Sequence, residues 1–248
     1  MYDNYVFDLY GTLIDIYTDE TKKIVWKQMA LFYRYSGIVY NWQDLKDKYF
    51  EIVDKETKHK KYENSTRYSH ETYPEIKIED VFGKLYEEKG VVADDELVKK
   101  TAIHFRRITT RRLKLYKGVT TLLEELKNRG AKLYLLSNAQ RVFTDYEMEG
   151  LGLTKYFDGI IISSDEGIKK PDKDFAELLH TRFGVDFSKS LMIGNDADAD
   201  INCAKKVGMD SFYIHSNISP KGEKAPVNCK FSLAKMDMKK VLDILTNK

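Results

Sequence analysis

Four short segments carry side chains that could do chemistry together. The first is Asp8-Leu9-Tyr10-Gly11-Thr12-Leu13, an aspartate before a Gly-Thr turn. A carboxylate there can act as a nucleophile if substrate is held in line and charge is neutralised nearby. Taken alone, it can equally cap a turn. The second is Ser137-Asn138, a hydroxyl and amides able to hold an anionic oxygen, or a plain turn into a helix. The third is Lys170-Pro171. Its ammonium can neutralise a phosphate or carboxylate and keep a nucleophile ionised, although a lysine before proline is usually a solvated loop residue. The fourth is Gly194-Asn195-Asp196-Ala197-Asp198-Ala199-Asp200, with three acids within five residues. Such acids repel unless a cation or Lys170 sits among them, and Mg²⁺ is the natural hard cation. The start of a helix at Ile201 competes for at least one of them.

The elements that must position these residues can be read from pattern. Residues 4–9 form a short apolar run ending in Asp8, then Gly11-Thr12, which suggests a buried strand and a tight turn. From about residue 16 to 113 the chain is charged, rich in Tyr and Lys, and helical in texture. Helices are expected from Thr21 to Tyr35, from Asn41 to about Lys58, from Ile78 to Glu88, and from Asp94 to about Arg112. Asp94, Asp95 and Glu96 suit the positive end of a helix dipole. A polar stretch at 59–75 separates two of these helices, and no segment of the block reads as a strand. After residue 118, strands at 132–136, 159–163, 191–193 and 211–214 alternate with helices. That alternation predicts a parallel sheet wound with helices, whose ligands sit beyond the carboxyl ends of the strands. All four polar segments fall at such ends.

The bulk numbers are compatible with this. The chain has 248 residues, 42% hydrophobic and 32% charged, ordinary for a folded protein. Its 41 Lys and Arg against 39 Asp and Glu leave +2, which gives no warrant for nucleic acid as a partner. Two cysteines, Cys203 and Cys229, form neither a zinc spacing nor a disulfide framework. The N-terminus opens straight into Tyr5-Val6-Phe7-Asp8 without an export signal, and no apolar run could span a bilayer. A cytoplasmic location without membrane attachment is expected.

The order Asp8…Gly11-Thr12, Ser137-Asn138, Lys170-Pro171, Gly194-Asn195-Asp196…Asp200 resembles the four motifs of the haloacid dehalogenase-like hydrolase superfamily. The resemblance covers residues 4 to about 215. It implies a Rossmann-like α/β core, residues 1–15 and 114–248, with residues 16–113 as a helical cap inserted after the first strand. It implies that Asp8 attacks and forms a covalent aspartyl intermediate, which water cleaves. Ser137 would hold a substrate oxygen, with Tyr10, Thr12 and Asn138 beside it, and Lys170 would stabilise the charge. Asp8, the backbone oxygen of Tyr10, Asn195, Asp196 and Asp200 are the expected Mg²⁺ set.

Two positions depart from the phosphatase pattern. Most phosphatases of the superfamily carry a second Asp two residues after the nucleophile, where this chain has Tyr10. A phenol with a pKa of about 10 is a poor general base at neutral pH. Asp-x-Tyr-Gly-Thr resembles instead the 2-haloacid dehalogenases, whose halide leaves without a proton and which need no metal. Those enzymes, however, have Asn where this chain has Ala197, and they lack the extra acids at 196 and 198. Asn195 stands where phosphatases often have the first Asp of the motif.

The expected function is a Mg²⁺-dependent phosphatase of a small phosphorylated metabolite, acting as a monomer or homodimer. The alternatives are a 2-haloacid dehalogenase-type hydrolase and a binding protein on the same fold. Asp15 is expected to cap the first helix of the insert rather than to replace the missing acid. Arg106, Arg107, Arg111 and Arg112 read as a solvated basic helix face, or as forks for a carboxylate or phosphate. The polar segment His70–Glu75 reads as a loop between cap helices.

Overall fold

The computed structural model describes residues 2–67, 69–220 and 222–246. In chain order the elements are β1 (Asn4–Phe7), β2 (Ile14–Thr18), α1 (Lys23–Tyr35), α2 (Trp42–Arg67), α3 (Ile78–Glu87), α4 (Asp95–Thr109) and β3 (Thr110–Leu115). Then follow α5 (Val119–Asn128), β4 (Lys132–Ser137), α6 (Arg141–Gly150), β5 (Gly159–Ile162), α7 (Ser163–Glu166) and α8 (Lys173–Phe183). The chain continues through β6 (Ser190–Gly194), a π-helical turn (Ala197–Ile201), α9 (Asn202–Lys206), β7 (Asp210–Ile214), β8 (Phe231–Leu233) and α10 (Met238–Thr246).

Six strands form one parallel sheet in the order β5-β4-β1-β6-β7-β8. The strands are apolar on both faces because helices cover both. Tyr5 and Phe7 of β1 point into one core with Leu133, Leu135, Leu191 and Ile193. Val6 points into the other with Tyr134, Leu136, Ile161 and Met192. This is the two-residue alternation of a strand. The register pairs Phe7 with both Leu135 and Ile193, and Ser137 with Ile162. The ends of β1, β4, β5 and β6 therefore share one edge. β1 lies between strands reached in opposite directions, the switch point at which such sheets bind ligands.

Helices α1–α4 pack as a cap, inserted after β1 and β2, around an aromatic core of their own. Trp26, Tyr33, Tyr49, Phe82, Tyr86 and Phe105 are buried in it, with Val142 of α6 closing one side. Trp26 and Tyr49 rings lie 5.1 Å apart, and Phe82 and Phe105 rings 5.3 Å apart. Trp42 packs at the edge of this cluster. Asp94 caps α4 by accepting from the Leu97 backbone N–H at 2.8 Å.

Three expectations are corrected. Residues 16–113 do contain strand: β2 and β3 pair antiparallel, Ile14 with Leu115 through Tyr17 with Arg112, as a two-stranded ribbon joining cap to core. Ribbon residues are half polar because one face is open to water, so Tyr17, Arg111 and Lys114 hid the alternation. Asp15 therefore lies in β2 and caps no helix; its carboxylate takes Arg112 Nε at 2.8 Å and Asn217 Nδ2 at 3.0 Å. Finally, α2 runs to Arg67 through the stretch expected to interrupt it. Residues 59–67 are polar because that part of α2 is largely exposed, Asn64 apart, and a pair at four-residue spacing, His59 with Glu63, lies within it.

Candidate active site

Asp8 follows β1 directly, and its backbone N–H donates to Ile193 O of β6 at 3.0 Å. That bond fixes where its carboxylate emerges. Lys170 Nζ, fully buried, donates to Asp8 Oδ1 at 2.8 Å, to Asp200 Oδ1 at 2.6 Å and to Leu136 O at 2.7 Å. Burial works against the lysine's charge, but Asp200 and Asp8 outweigh it, and its pKa lies above the ordinary value. Asp200 is also fully buried. Burial first, then the charge of Asp8, push its pKa well above the carboxylate range despite Lys170. Two buried carboxylates thus share one cation.

The remaining groups hold this centre in place. Ser137 Oγ lies 3.4 Å from Asp8 Oδ1, and Thr12 Oγ1 lies 3.3 Å from Asp8 Oδ2 and 3.1 Å from Asn195 Oδ1. Both polar atoms of the Asn138 carboxamide engage the backbone of Lys170: Nδ2 donates to its oxygen at 3.0 Å, and Oδ1 accepts from its N–H at 2.8 Å. Asn138 therefore aims the lysine. Asp200 Oδ2 accepts from the backbone N–H groups of Asn195 and Asp196, both at 3.0 Å. Asp196 Oδ1 accepts from Asp198 N and Ala199 N at 2.9 and 2.8 Å, which is a cap on the following turn. Asp198 is exposed and takes Asn202 Nδ2 at 3.2 Å.

Gly194 is required by this packing. A Cβ at that position would lie 2.2 Å from Asp200 Oδ2. Gly194→Ala is expected to displace Asp200 from Lys170 and to cost about 1–3 kcal/mol, read as a lower urea midpoint with unchanged slope.

The donor set fits a hard divalent cation. Asp8 and Asp200 supply two carboxylates, Asn195 and the Tyr10 carbonyl are neutral oxygens close in the chain, and the buried pair carries one negative charge more than Lys170 balances. A second group able to coordinate a metal lies elsewhere. The ligand atoms of His70, Asp172 and Asp174 are all within 4.8 Å of one another at the start of α8.

Tyr10 is turned to other partners. Its hydroxyl donates to Glu147 Oε2 of α6 at 2.5 Å, and Arg106 of α4 lies over its ring at 5.2 Å. Arg106 in turn forks Glu147, at 2.6 and 3.1 Å. Burial, and then the Glu147 charge, raise the Tyr10 pKa well above its ordinary value. Arg106 is thus no solvated helix residue but part of a cap-to-core tie. Arg111 and Arg112 lie on β3 rather than on a helix. Glu147 carries no sequence signal, because its partners are distant in the chain. The polar segment at 70–75 docks beside Lys170: Lys169 N donates to Tyr73 O at 2.8 Å, and Glu75 N to Gly167 O at 3.0 Å.

Residues 37–214 match the family described as haloacid dehalogenase-like hydrolase. The chain belongs to this family. A phosphoserine phosphatase of Thermus thermophilus is 29% identical over 147 residues, 59% of this chain and 58% of that protein. The chain spans about half the length of the curated relatives it matches. A 2-haloacid dehalogenase of Pseudomonas syringae is similar in structure with a TM-score of 0.65 at 20% identity, covering 100% of this chain and 99% of the other. A HAD phosphatase of Thermococcus onnurineus has a TM-score of 0.58 at 18% identity, covering 99% of each chain. These two likenesses are of fold. Among the described residues no helix is long and apolar enough to cross a membrane.

Proposed function

We propose that this hydrolase is a Mg²⁺-dependent phosphatase of a small phosphorylated molecule, with Asp8 as nucleophile. The observation that carries the reading is the charge balance of the buried centre, where two carboxylates face one lysine. A divalent cation would supply the missing positive charge and would also offset the charge of a phosphoryl group; a metal-free attack on a haloacid carbon would leave the excess unbalanced. Relatives described as phosphatases support the same choice.

In this reading Lys170 balances charge beside Asp8, and Asn138 keeps Lys170 on target. Thr12 fixes the Asp8 carboxylate, so its free lone pairs face the substrate. Ser137 holds a phosphoryl oxygen. Asp8, Asp200, Asn195 and the Tyr10 carbonyl would hold Mg²⁺, which when bound would neutralise charge on the transferring group. Asp196 is left mainly as a cap. The cap–core contacts of Arg106 and of segment 73–75 would limit access of bulk water to the site while leaving room for the water that cleaves the aspartyl intermediate.

Phosphate release from an aryl phosphate, with and without Mg²⁺, tests this. The expected result is release that requires the metal. Release of halide from a 2-haloacid without metal would instead favour the dehalogenase reading, for which Tyr10 is the favouring residue. Cation binding has its own signature. Because the raised Asp200 pKa places a proton in competition with Mg²⁺, affinity measured by calorimetry is expected to rise as pH rises and then to level off. An affinity that falls with pH contradicts the assignment of Asp200.

A further inference from the structure

The position two residues beyond Asp8 is where leaving-group protonation is expected, and Tyr10 is committed elsewhere. Its hydroxyl donates to Glu147, which Arg106 forks from the cap. Three other acids near Asp8 are spent too. Asp15 is held by Arg112 and Asn217, Asp196 caps a turn, and Asp200 is tied to Lys170. Among the described residues, the side chains that contact the Asp8 carboxylate are Lys170, Ser137 and Thr12, none of them a carboxylic acid.

We infer that this enzyme selects phosphoryl compounds by the acidity of the leaving group, taking acyl and aryl phosphates and discriminating against alkyl esters. The inference rests on the phosphatase reading and deepens it. An Asp8 oxygen attacks phosphorus, the bond from phosphorus to the leaving oxygen breaks, and the electron pair departs with a carboxylate or phenolate that needs no proton. Water then attacks phosphorus, the bond to Asp8 breaks, Asp8 regains its carboxylate, and the water's protons leave on the released phosphate. An alkoxide from an alkyl ester would have to depart unprotonated. General acid help is worth roughly 10²–10⁴-fold, and that factor is withheld from alkyl esters. Tyr10 is here a specificity-determining residue, and Glu147 and Arg106 are its positioning residues.

The test is kcat/KM with Mg²⁺ across a series of substituted phenyl phosphates, together with acetyl phosphate against isopropyl phosphate, which are near-equal in size. The expected result is a steep fall with leaving-group pKa, with isopropyl phosphate slower than acetyl phosphate by roughly 10²-fold or more. In Tyr10→Asp, folded by circular dichroism, the slope flattens and isopropyl phosphate gains. Wild-type turnover of isopropyl phosphate within tenfold of acetyl phosphate overturns the inference, whatever the variant does. Failure on every phosphorylated probe removes the phosphatase reading, and the inference with it. A shallow slope with good turnover removes the inference alone.

Discussion

Asp8→Asn is expected to lower kcat/KM by roughly 10⁴-fold or more, because the amide cannot form the covalent intermediate and no neighbouring group can take its place. The fold should survive. The wild-type centre holds two buried carboxylates against one lysine, and the substitution leaves Lys170 and Asp200 as a balanced pair at 2.6 Å. The denaturation midpoint should therefore hold or rise. Loss of activity together with a large loss of stability would mean that Asp8 is mainly structural. Retained activity would mean that the nucleophile lies elsewhere.

Lys170→Met should be costly to both. Removing the cation leaves Asp8 and Asp200 buried without a charge partner, and breaking a buried pair in this way costs about 3–5 kcal/mol. The sign with pH follows from the carboxylates. With Lys170 gone, the burial that already raises the Asp200 pKa is no longer opposed by a cation, so the folded state takes up a proton that the unfolded state releases. The variant should be least stable at high pH and recover as pH falls. Adding Asp200→Asn removes one of the two stranded charges. Urea midpoints of the two single variants and the double variant should therefore be strongly non-additive. Additive midpoints would show that the two side chains do not share the bond seen here.

The core of this arrangement was legible because each motif sits at a strand end with a recognisable turn. β1 reads as buried strand from Tyr5-Val6-Phe7, and parallel register then brings Asp8 level with the ends of β4 and β6. The sequence offers Lys170 as one cation that could sit among the acids; that it is buried against both Asp8 and Asp200 comes from the structure. The family resemblance read from these residues agrees with the match over residues 37–214. What was not legible depends on partners far apart in sequence. The β2–β3 ribbon needs two half-polar segments that are meaningless singly. Arg106 reads as surface in the sequence because Glu147, the carboxylate it forks, lies on a distant helix. β8 and α10 lie beyond the motifs, in a stretch where the sequence offered no polar strand end to anchor a reading. Asn138 was expected at the substrate, and only the geometry shows its amide taken up by the Lys170 backbone.

The covalent role of Asp8 is best tested by quenching the enzyme in acid while it turns over an aryl phosphate with Mg²⁺, then mapping modified peptides by mass spectrometry. Trapping is favoured because Tyr10 supplies no base for the second step. A phosphoryl adduct on Asp8, lost on hydroxylamine treatment and missing in Asp8→Asn, is the predicted result. Continued turnover with Asp8 unmodified, or with the adduct on another residue, would contradict it.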